Sequence, residues 1–177
     1  MSGRLEIRQC TLREIAETGD FYDRVTYELE HHINYPKWSY KIYPSTAAVR
    51  EAATSGTQYI AREDGRLAGA FVLNDNPGGL YERGQWSRAL PRGEYAVLHM
   101  LAAAPELQGC GVGRAMVQWA LEQSAALGYR ALRLDVVPTN TPGIRLYESM
   151  GFTCAGEVDL GREGAGIPRF RLYERNF

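Results

Sequence analysis

The chain has 177 residues, of which 45% are hydrophobic and 23% charged, and its formal net charge is -1. That length and balance fit one globular domain, and the near-neutral charge excludes a general electrostatic attraction to nucleic acid or to an anionic membrane. No run of about 18 apolar residues is present to cross a membrane. The three cysteines, Cys10, Cys110 and Cys154, form no CxxC pair and are odd in number. A disulfide framework or zinc site is therefore not expected, and a reducing compartment, the cytoplasm, fits better. The first residues, "MSGRLEIRQCTLREI", carry charges throughout and do not read as a signal peptide.

"RLEIRQC" reads as a first strand, with Leu5 and Ile7 alternating. "TLREIAETGDFYDRVTYELEHHI" carries helical spacing at Leu12, Ile15, Phe21, Val25 and Leu29, and Gly19 is expected to divide it into two pieces. "NYPKWSYKIYPS" is an aromatic, proline-bearing loop. A short helix over "STAAVREAATSG" takes Ser45 or Thr46 as its cap and ends at Gly56. In "TQYIAREDGRLAGAFVLND" two apolar runs flank Asp64-Gly65, a strong hairpin signal.

Residues 74–93 are rich in turn formers and read as a surface connection. "EYAVLHMLAAA" is a long apolar strand expected to be buried on both faces. "PELQGCGVGR" leads into a helix that starts near Val112 and stops at Gly128. A strand over "YRALRLDVV" places Leu132, Leu134 and Val136 on one face. A short helix over "TPGIRLYESM" has Pro142 in its first turn and Gly151 at its end. "TCAGEVDL" and "PRFRLYERNF" form two last strands around a Gly-rich turn. The order is one mixed α/β domain over residues 1–177, without linker or repeat.

"QGCGVGR" puts Gly109, Gly111 and Gly113 between a strand and a helix. A dinucleotide fingerprint needs a glycine where Arg114 stands, and it normally follows the first strand of its unit. Here a hairpin and further strands precede it, so a dinucleotide-dependent oxidoreductase is disfavoured, although Asp135 sits at a fitting distance. A Walker loop fails for want of its lysine. Two readings stay open. One is a plain tight connection. The other is an anion site, in which glycines expose the amides of a helix N-terminus and Arg114 adds charge.

"LAAAPELQGCGVGRAMVQWAL" resembles the acetyl-CoA signature of the GNAT superfamily of N-acetyltransferases, through Gln108, Gly111 and Gly113. "NTPGIRLYESMGF" resembles that family's later motif, through Asn140, Leu146, Tyr147, Gly151 and Phe152, with Gly143 where the family usually has Ala. The resemblance is good over residues 95–155. It implies a central, mixed, mostly antiparallel twisted sheet with helices on both faces and a bulged, splayed central strand pair.

It also implies acetyl-CoA as co-substrate, with no metal, and acetyl transfer to a primary amine of a small molecule or an amino terminus. By resemblance, the pyrophosphate of coenzyme A lies on Gln108, Gly109, Cys110, Gly111, Val112, Gly113 and Arg114. The pantetheine pairs beside Leu101, Ala102 and Ala103, and the Leu101 N–H polarises the thioester carbonyl. Tyr147 supplies the proton for the leaving thiolate, and Asn140 contacts pantetheine or caps its helix. A base for direct attack in a ternary complex is Glu94, His99 or a water. His99 is two residues from Leu101 and so shares its face in a regular strand.

The competing reading is a non-catalytic acyl-CoA-binding module. Cys110 as a covalent nucleophile is disfavoured because pyrophosphate should fill its space. His31 and His32, adjacent on a helix, do not converge on a metal. Tyr35, Trp38, Tyr40 and Tyr43 either wall the acceptor pocket or pack structurally, and an exposed edge of the C-terminal strands offers pairing with a second copy.

Overall fold

The computed structural model describes residues 5–162, 164 and 166–177. In chain order the elements are β1 (Leu5–Gln9), α1 (Ile15–His31), α2 (Thr46–Thr54), β2 (Gln58–Glu63), β3 (Arg66–Asn74), β4 (Ala96–Ala103), α3 (Val112–Ala126), β5 (Ala131–Val136), α4 (Thr141–Ser149), β6 (Thr153–Val158) and β7 (Phe170–Asn176). The strands form a seven-stranded sheet in the order β1-β2-β3-β4-β5-β7-β6. It is mixed: β4 and β5 are parallel, whereas β1–β2, β2–β3, β5–β7 and β6–β7 are antiparallel. Its edges are β1 and β6. Of the two C-terminal strands, β6 is the one at an edge, and β7 lies inside the sheet. Arg4 of the expected first strand, and Glu163 and Ala165 of the Gly-rich turn, lie outside the described residues.

The chain divides into two compact units, the first of residues 1–34, 38–73 and 99–119, the second of residues 35–37, 74–98 and 120–177. In the first unit Phe21, Tyr22 and Val25 of α1, Val49 of α2 and Ile60 of β2 close one apolar core. The β2–β3 hairpin turns on Asp64 and Gly65, both with positive φ (49° and 78°), the pair of left-handed residues that a tight primed turn requires. Ser45 caps α2 by accepting from Ala48 N at 3.1 Å.

Gly19 does not split α1, which runs unbroken over Ile15–His31. A Cβ at this position would collide with the Thr46 side chain, so the glycine serves the close approach of α1 to α2. Gly69 of β3 similarly leaves room for the Met116 thioether of α3, which a Cβ would meet at 2.6 Å.

In the second unit Tyr81, Tyr95, Val97, Leu160 and Leu172 form a separate core. β5 departs from the expected alternation: Arg133 is as inaccessible as its apolar neighbours, at 2% exposure. β4 is also not buried throughout, because Ala96–Leu98 are covered while His99, Met100, Leu101 and Ala103 are half-buried. The β4–β5 register runs through Ala96–Leu132 and Val97–Arg133, short for an eight-residue β4.

Candidate active site

In the first unit the site begins in β4. Met100 has φ 53°, a left-handed conformation inside a strand. For a residue with a Cβ this costs about 1–2 kcal/mol, so surrounding contacts must hold it. One is plain: the Tyr22 hydroxyl of α1 donates to the Met100 carbonyl at 2.7 Å, across 78 residues of sequence. Tyr22 is fully buried, and its ring is braced edge-on by Phe21 at 5.5 Å and Trp38 at 6.3 Å. Burial pushes the phenol far above its usual pKa, so it remains a donor. The left-handed residue also interrupts the pleat between His99 and Leu101. The period-two argument that set their side chains on one face does not carry across it.

Past β4, Ala104 N donates to Ala68 O at 2.8 Å, and Pro105–Leu107 make one 3-10 turn. Cys110 N donates back to Leu107 O at 3.1 Å. Gly109 and Gly111 take φ values of 78° and 88°, and a Cβ on either would meet nothing within 4 Å. Conformation demands the glycines here, and the space beside them is open. The Gly111 carbonyl accepts from Ala115 N at 3.0 Å, so α3 starts immediately after it. Its first-turn amides, those of Val112 and Gly113 among them, have no acceptor within the helix and carry partial positive charge. Gln108, Gly109, Cys110, Gly111 and Arg114 are exposed, Gly113 is half-buried and Val112 is buried. Arg24 of α1 pins the approach to this loop by bonding Glu106 at 2.9 and 3.0 Å. The loop residues 108–114 and the β4 residues Leu101, Ala102 and Ala103 thus belong to one unit.

Within the second unit, Asn140 caps α4 by accepting from Gly143 N at 3.2 Å. A Cβ on residue 143 would come to 2.8 Å from the Asn140 amide, so the glycine at this position accommodates the cap. Tyr147 is one helical turn beyond Ile144 and is buried, with 8% exposure. Its ring lies edge-on to Phe152 at 5.8 Å and near Tyr173 at 6.5 Å. Burial first, and the Asp135 carboxylate second, raise its pKa well above that of an ordinary tyrosine. Glu94, just before β4, is half-exposed and paired with Arg130 at 2.8 Å.

Several contacts in this unit are not legible in the sequence, which singles out Asp135 only as an acidic residue at the dinucleotide spacing. Asp135 of β5 accepts from Tyr81 at 2.7 Å and from both terminal nitrogens of Arg162 at 2.7 and 2.8 Å. Arg162 also donates to the Gly78 and Pro77 carbonyls, both at 3.0 Å, tying the β6–β7 connection to the 74–83 segment. Arg133 and Glu174, opposite each other on β5 and β7, are both 2% exposed and 3.7 Å apart. The Arg133 guanidinium is sandwiched between Trp86 and Tyr95 at 4.1 and 4.2 Å. The only sequence signal for these groups was charge inside the apolar run "ALRLDVV"; their partners are remote in the chain.

The aromatic segment divides between the units. Trp38, Tyr40 and Tyr43 belong to the first, with Trp38 and Tyr43 in edge contact at 6.2 Å. Tyr35 belongs to the second, where its carbonyl accepts from Thr139 Oγ1 at 2.9 Å. His31 Nδ1 lies 2.8 Å from Tyr27 O, and His32 faces Glu28 at 3.4 Å. No group of three metal-binding side chains occurs among the described residues.

A mixed sheet in which a strand with a left-handed residue feeds a glycine turn and a helix N-terminus fits an acetyl-CoA-dependent transferase. The model of the acetyltransferase (GNAT) family matches residues 21–152, and the chain belongs to that family. Among curated relatives, a mycothiol acetyltransferase of Acidothermus cellulolyticus is 34% identical over 109 residues, covering 60% of this chain and 32% of its own length. A 5-NmdU N-acetyltransferase of Pseudomonas phage PaMx11 is 26% identical over 116 residues, covering 66% of this chain and 70% of its own. The chain thus spans no more than about a third of the mycothiol acetyltransferases that it matches.

Among solved structures, a GNAT acetyltransferase of Streptococcus agalactiae superposes with TM-score 0.76 at 19% identity, covering 100% of this chain and 98% of that one. An acetyltransferase of Salmonella typhimurium, solved with its cofactor acetyl-CoA, gives 0.66 at 16% identity, covering 98% and 94%. These likenesses establish the fold. Acetyl-CoA is the acyl donor of the family, and the open, left-handed glycines ahead of α3 fit its phosphates.

Proposed function

We propose that residues 1–177 act as one N-acetyltransferase domain, passing acetyl from acetyl-CoA to a primary amine by direct attack in a ternary complex. The observation that carries this reading is the run from left-handed Met100 through left-handed Gly109 and Gly111 to the start of α3. It supplies backbone donors for both ends of the donor molecule. Amides of Gly109, Gly111, Gly113 and their neighbours hold the pyrophosphate over the Gln108–Arg114 loop, with the Arg114 charge beside them. Leu101, Ala102 and Ala103 pair with the pantetheine, and the Leu101 N–H polarises the thioester carbonyl.

The amine nitrogen forms a bond to the acetyl carbon, the carbon–sulfur bond breaks, and the proton lost by the amine goes to His99, Glu94 or a water. Glu94 is held by Arg130 through Oε2, its ion-pair partner at 2.8 Å. Tyr147 gives its proton to the departing thiolate. Its raised pKa keeps it protonated through the neutral range, so the alkaline fall in rate belongs above the ordinary tyrosine value. Asn140 fixes the first turn of the helix that carries Tyr147.

The names of the relatives carry two different compounds, mycothiol and 5-NmdU, so likeness to them supports the donor chemistry and leaves the acceptor amine to experiment. The free cysteines Cys10, Cys110 and Cys154 fit a cytoplasmic setting. No described helix is long and apolar enough to cross a membrane. Pairing of two copies at a sheet edge is consistent with β6 being a terminal strand.

Thermal shift with acetyl-CoA and with NAD(P), followed by thiol release across an amine panel, tests the reading. Stabilisation by acetyl-CoA and amine-dependent thiol release are expected. Stabilisation by NAD(P) alone would sink it, and acetyl-CoA binding without turnover would reduce the protein to a binding module.

A further inference from the structure

The mechanism above leaves the Tyr22 phenol without a task. It is fully buried, braced by two aromatic rings and neighboured by the Gln58 amide, and its hydroxyl donates to one backbone oxygen, Met100 O at 2.7 Å. That oxygen is not an arbitrary one. The Met100 carbonyl and the Leu101 N–H are two ends of the same planar, trans peptide unit. Fixing the oxygen fixes the direction of the N–H, which points the opposite way. Met100 sits at φ 53°, where a side-chain-bearing residue does not rest without support. A regular strand at this point would turn the same peptide plane toward a neighbouring strand.

We propose that Tyr22 is a positioning residue for acetyl transfer: its hydroxyl holds the Met100–Leu101 peptide in the turned orientation and makes the Leu101 N–H a better donor to the thioester. The inference rests on the assignment of that N–H to the thioester carbonyl. The phenol acts in two ways. It gives the Met100 carbonyl a buried donor, which keeps Met100 in its conformation. It also polarises the peptide, because a hydrogen bond accepted at the oxygen strengthens the one given at the nitrogen. Tyr22, the peptide and the thioester thus form a relay of two hydrogen bonds. No proton moves along it, so Tyr22 contributes no ionisation to the pH profile.

The residues involved come from α1 and β4 and lie within the first unit. α1 therefore acts on the chemistry through the backbone of β4, besides closing the core. Trp38 joins this arrangement through its edge contact with Tyr22. The aromatic segment that follows α1 thereby supports the phenol.

The test combines Tyr22→Phe, Met100→Val and the double variant Tyr22→Phe/Met100→Gly in the full chain. Loss of one backbone donor of this kind costs about 100–1,000-fold in kcat, and a misaligned one loses part of that. Tyr22→Phe should lower kcat about 10- to 100-fold, with KM for acetyl-CoA within about twofold of wild type and an unchanged pH profile. Its crystal structure should show residue 100 back at negative φ. Glycine takes the left-handed conformation without steric cost, so the double variant should recover part of the lost kcat while gaining no thermal stability. Met100→Val keeps the phenol but resists the left-handed conformation, and it should reproduce the loss in kcat; it serves alone if Tyr22→Phe does not fold.

Three results would each overturn the proposal: kcat for Tyr22→Phe or Met100→Val close to wild type, residue 100 still left-handed without the hydroxyl, or no recovery in the double variant. If the wild-type protein turns over no amine with acetyl-CoA, it is the proposed function that fails. The φ of residue 100 in Tyr22→Phe then still decides whether the phenol holds the peptide.

Discussion

The β4–loop–α3 region of the first unit and the β5–α4–β7 region of the second build their polar features in opposite ways. The first uses backbone: left-handed Met100, Gly109 and Gly111 aim peptide groups, and few charged side chains take part. The second uses buried side chains: Arg133 against Glu174, Arg162 and Tyr81 on Asp135, and the Tyr147 phenol among aromatic rings. A backbone site is strained locally but withdraws no side-chain charge from water. A side-chain network withdraws charges from water, which costs several kcal/mol per ion before any attraction is recovered. Removing a left-handed glycine from the first should therefore cost acetyl-CoA binding, whereas removing one member of the buried ion pair in the second should cost stability alone.

The largest effect is expected in the second. Glu174→Ala leaves the Arg133 guanidinium buried without its carboxylate and takes away the acceptor of Ser87 N. A loss of about 3–5 kcal/mol in urea unfolding is expected. Replacing Arg133 and Glu174 together by Met and Leu should restore most of it. If Glu174→Ala instead unfolds near the wild-type midpoint, the contrast between the regions is broken.

Next in size is Tyr147→Phe, which keeps the ring between Phe152 and Tyr173 but removes the acid. A fall of about 100-fold in kcat is expected, with stability within about 1 kcal/mol of wild type. A rate unchanged across pH would remove Tyr147 from the chemistry. In the backbone region, Gly111→Ala has open space around its new methyl but must hold φ 88°. About 1–2 kcal/mol of stability should be lost, together with much of the thermal shift given by acetyl-CoA. Equal loss for an unrelated ligand would show that the glycine serves the fold alone.

The smallest effect concerns pH. The Arg8 guanidinium first, helped by Thr11 and by Arg62 at 3.0 Å, holds the Glu14 carboxyl far below the ordinary 4.5. A depressed folded pKa gives stability that is full above the unfolded value and lost as pH falls through the folded one. Unfolding free energy should thus decline as pH drops below about 4, and Glu14→Gln should flatten that decline. Matching slopes for the two proteins would dismiss the carboxylate as a contributor.

The backbone region was the more legible in sequence because glycine leaves a record there. Gly109, Gly111, Gly128 and Gly151 all stand at positive φ, at positions where a turn or helix end had been read. The Asp64–Gly65 turn and the Ser45 and Asn140 caps were equally local. Gly19 shows the limit of such reading. Its reason is the Thr46 side chain, 27 positions away (46 minus 19) and invisible to any local rule. The alternation of β4 failed for a related reason, since the left-handed Met100 is bonded by Tyr22 from α1.

By itself the sequence determined the order of elements, the strand–glycine loop–helix, the tyrosine helix and hence the family and its acyl donor. These features rest on short-range rules: side-chain period, capping and the conformational freedom of glycine. Tertiary structure alone decided that β7 lies between β5 and β6, that Arg133 is buried with Glu174, that Arg162 reaches Asp135, and that a phenol from α1 holds the peptide before Leu101. Each of these depends on side chains that meet only when remote segments pack. Burial sets their energies, and burial is a property of the folded chain.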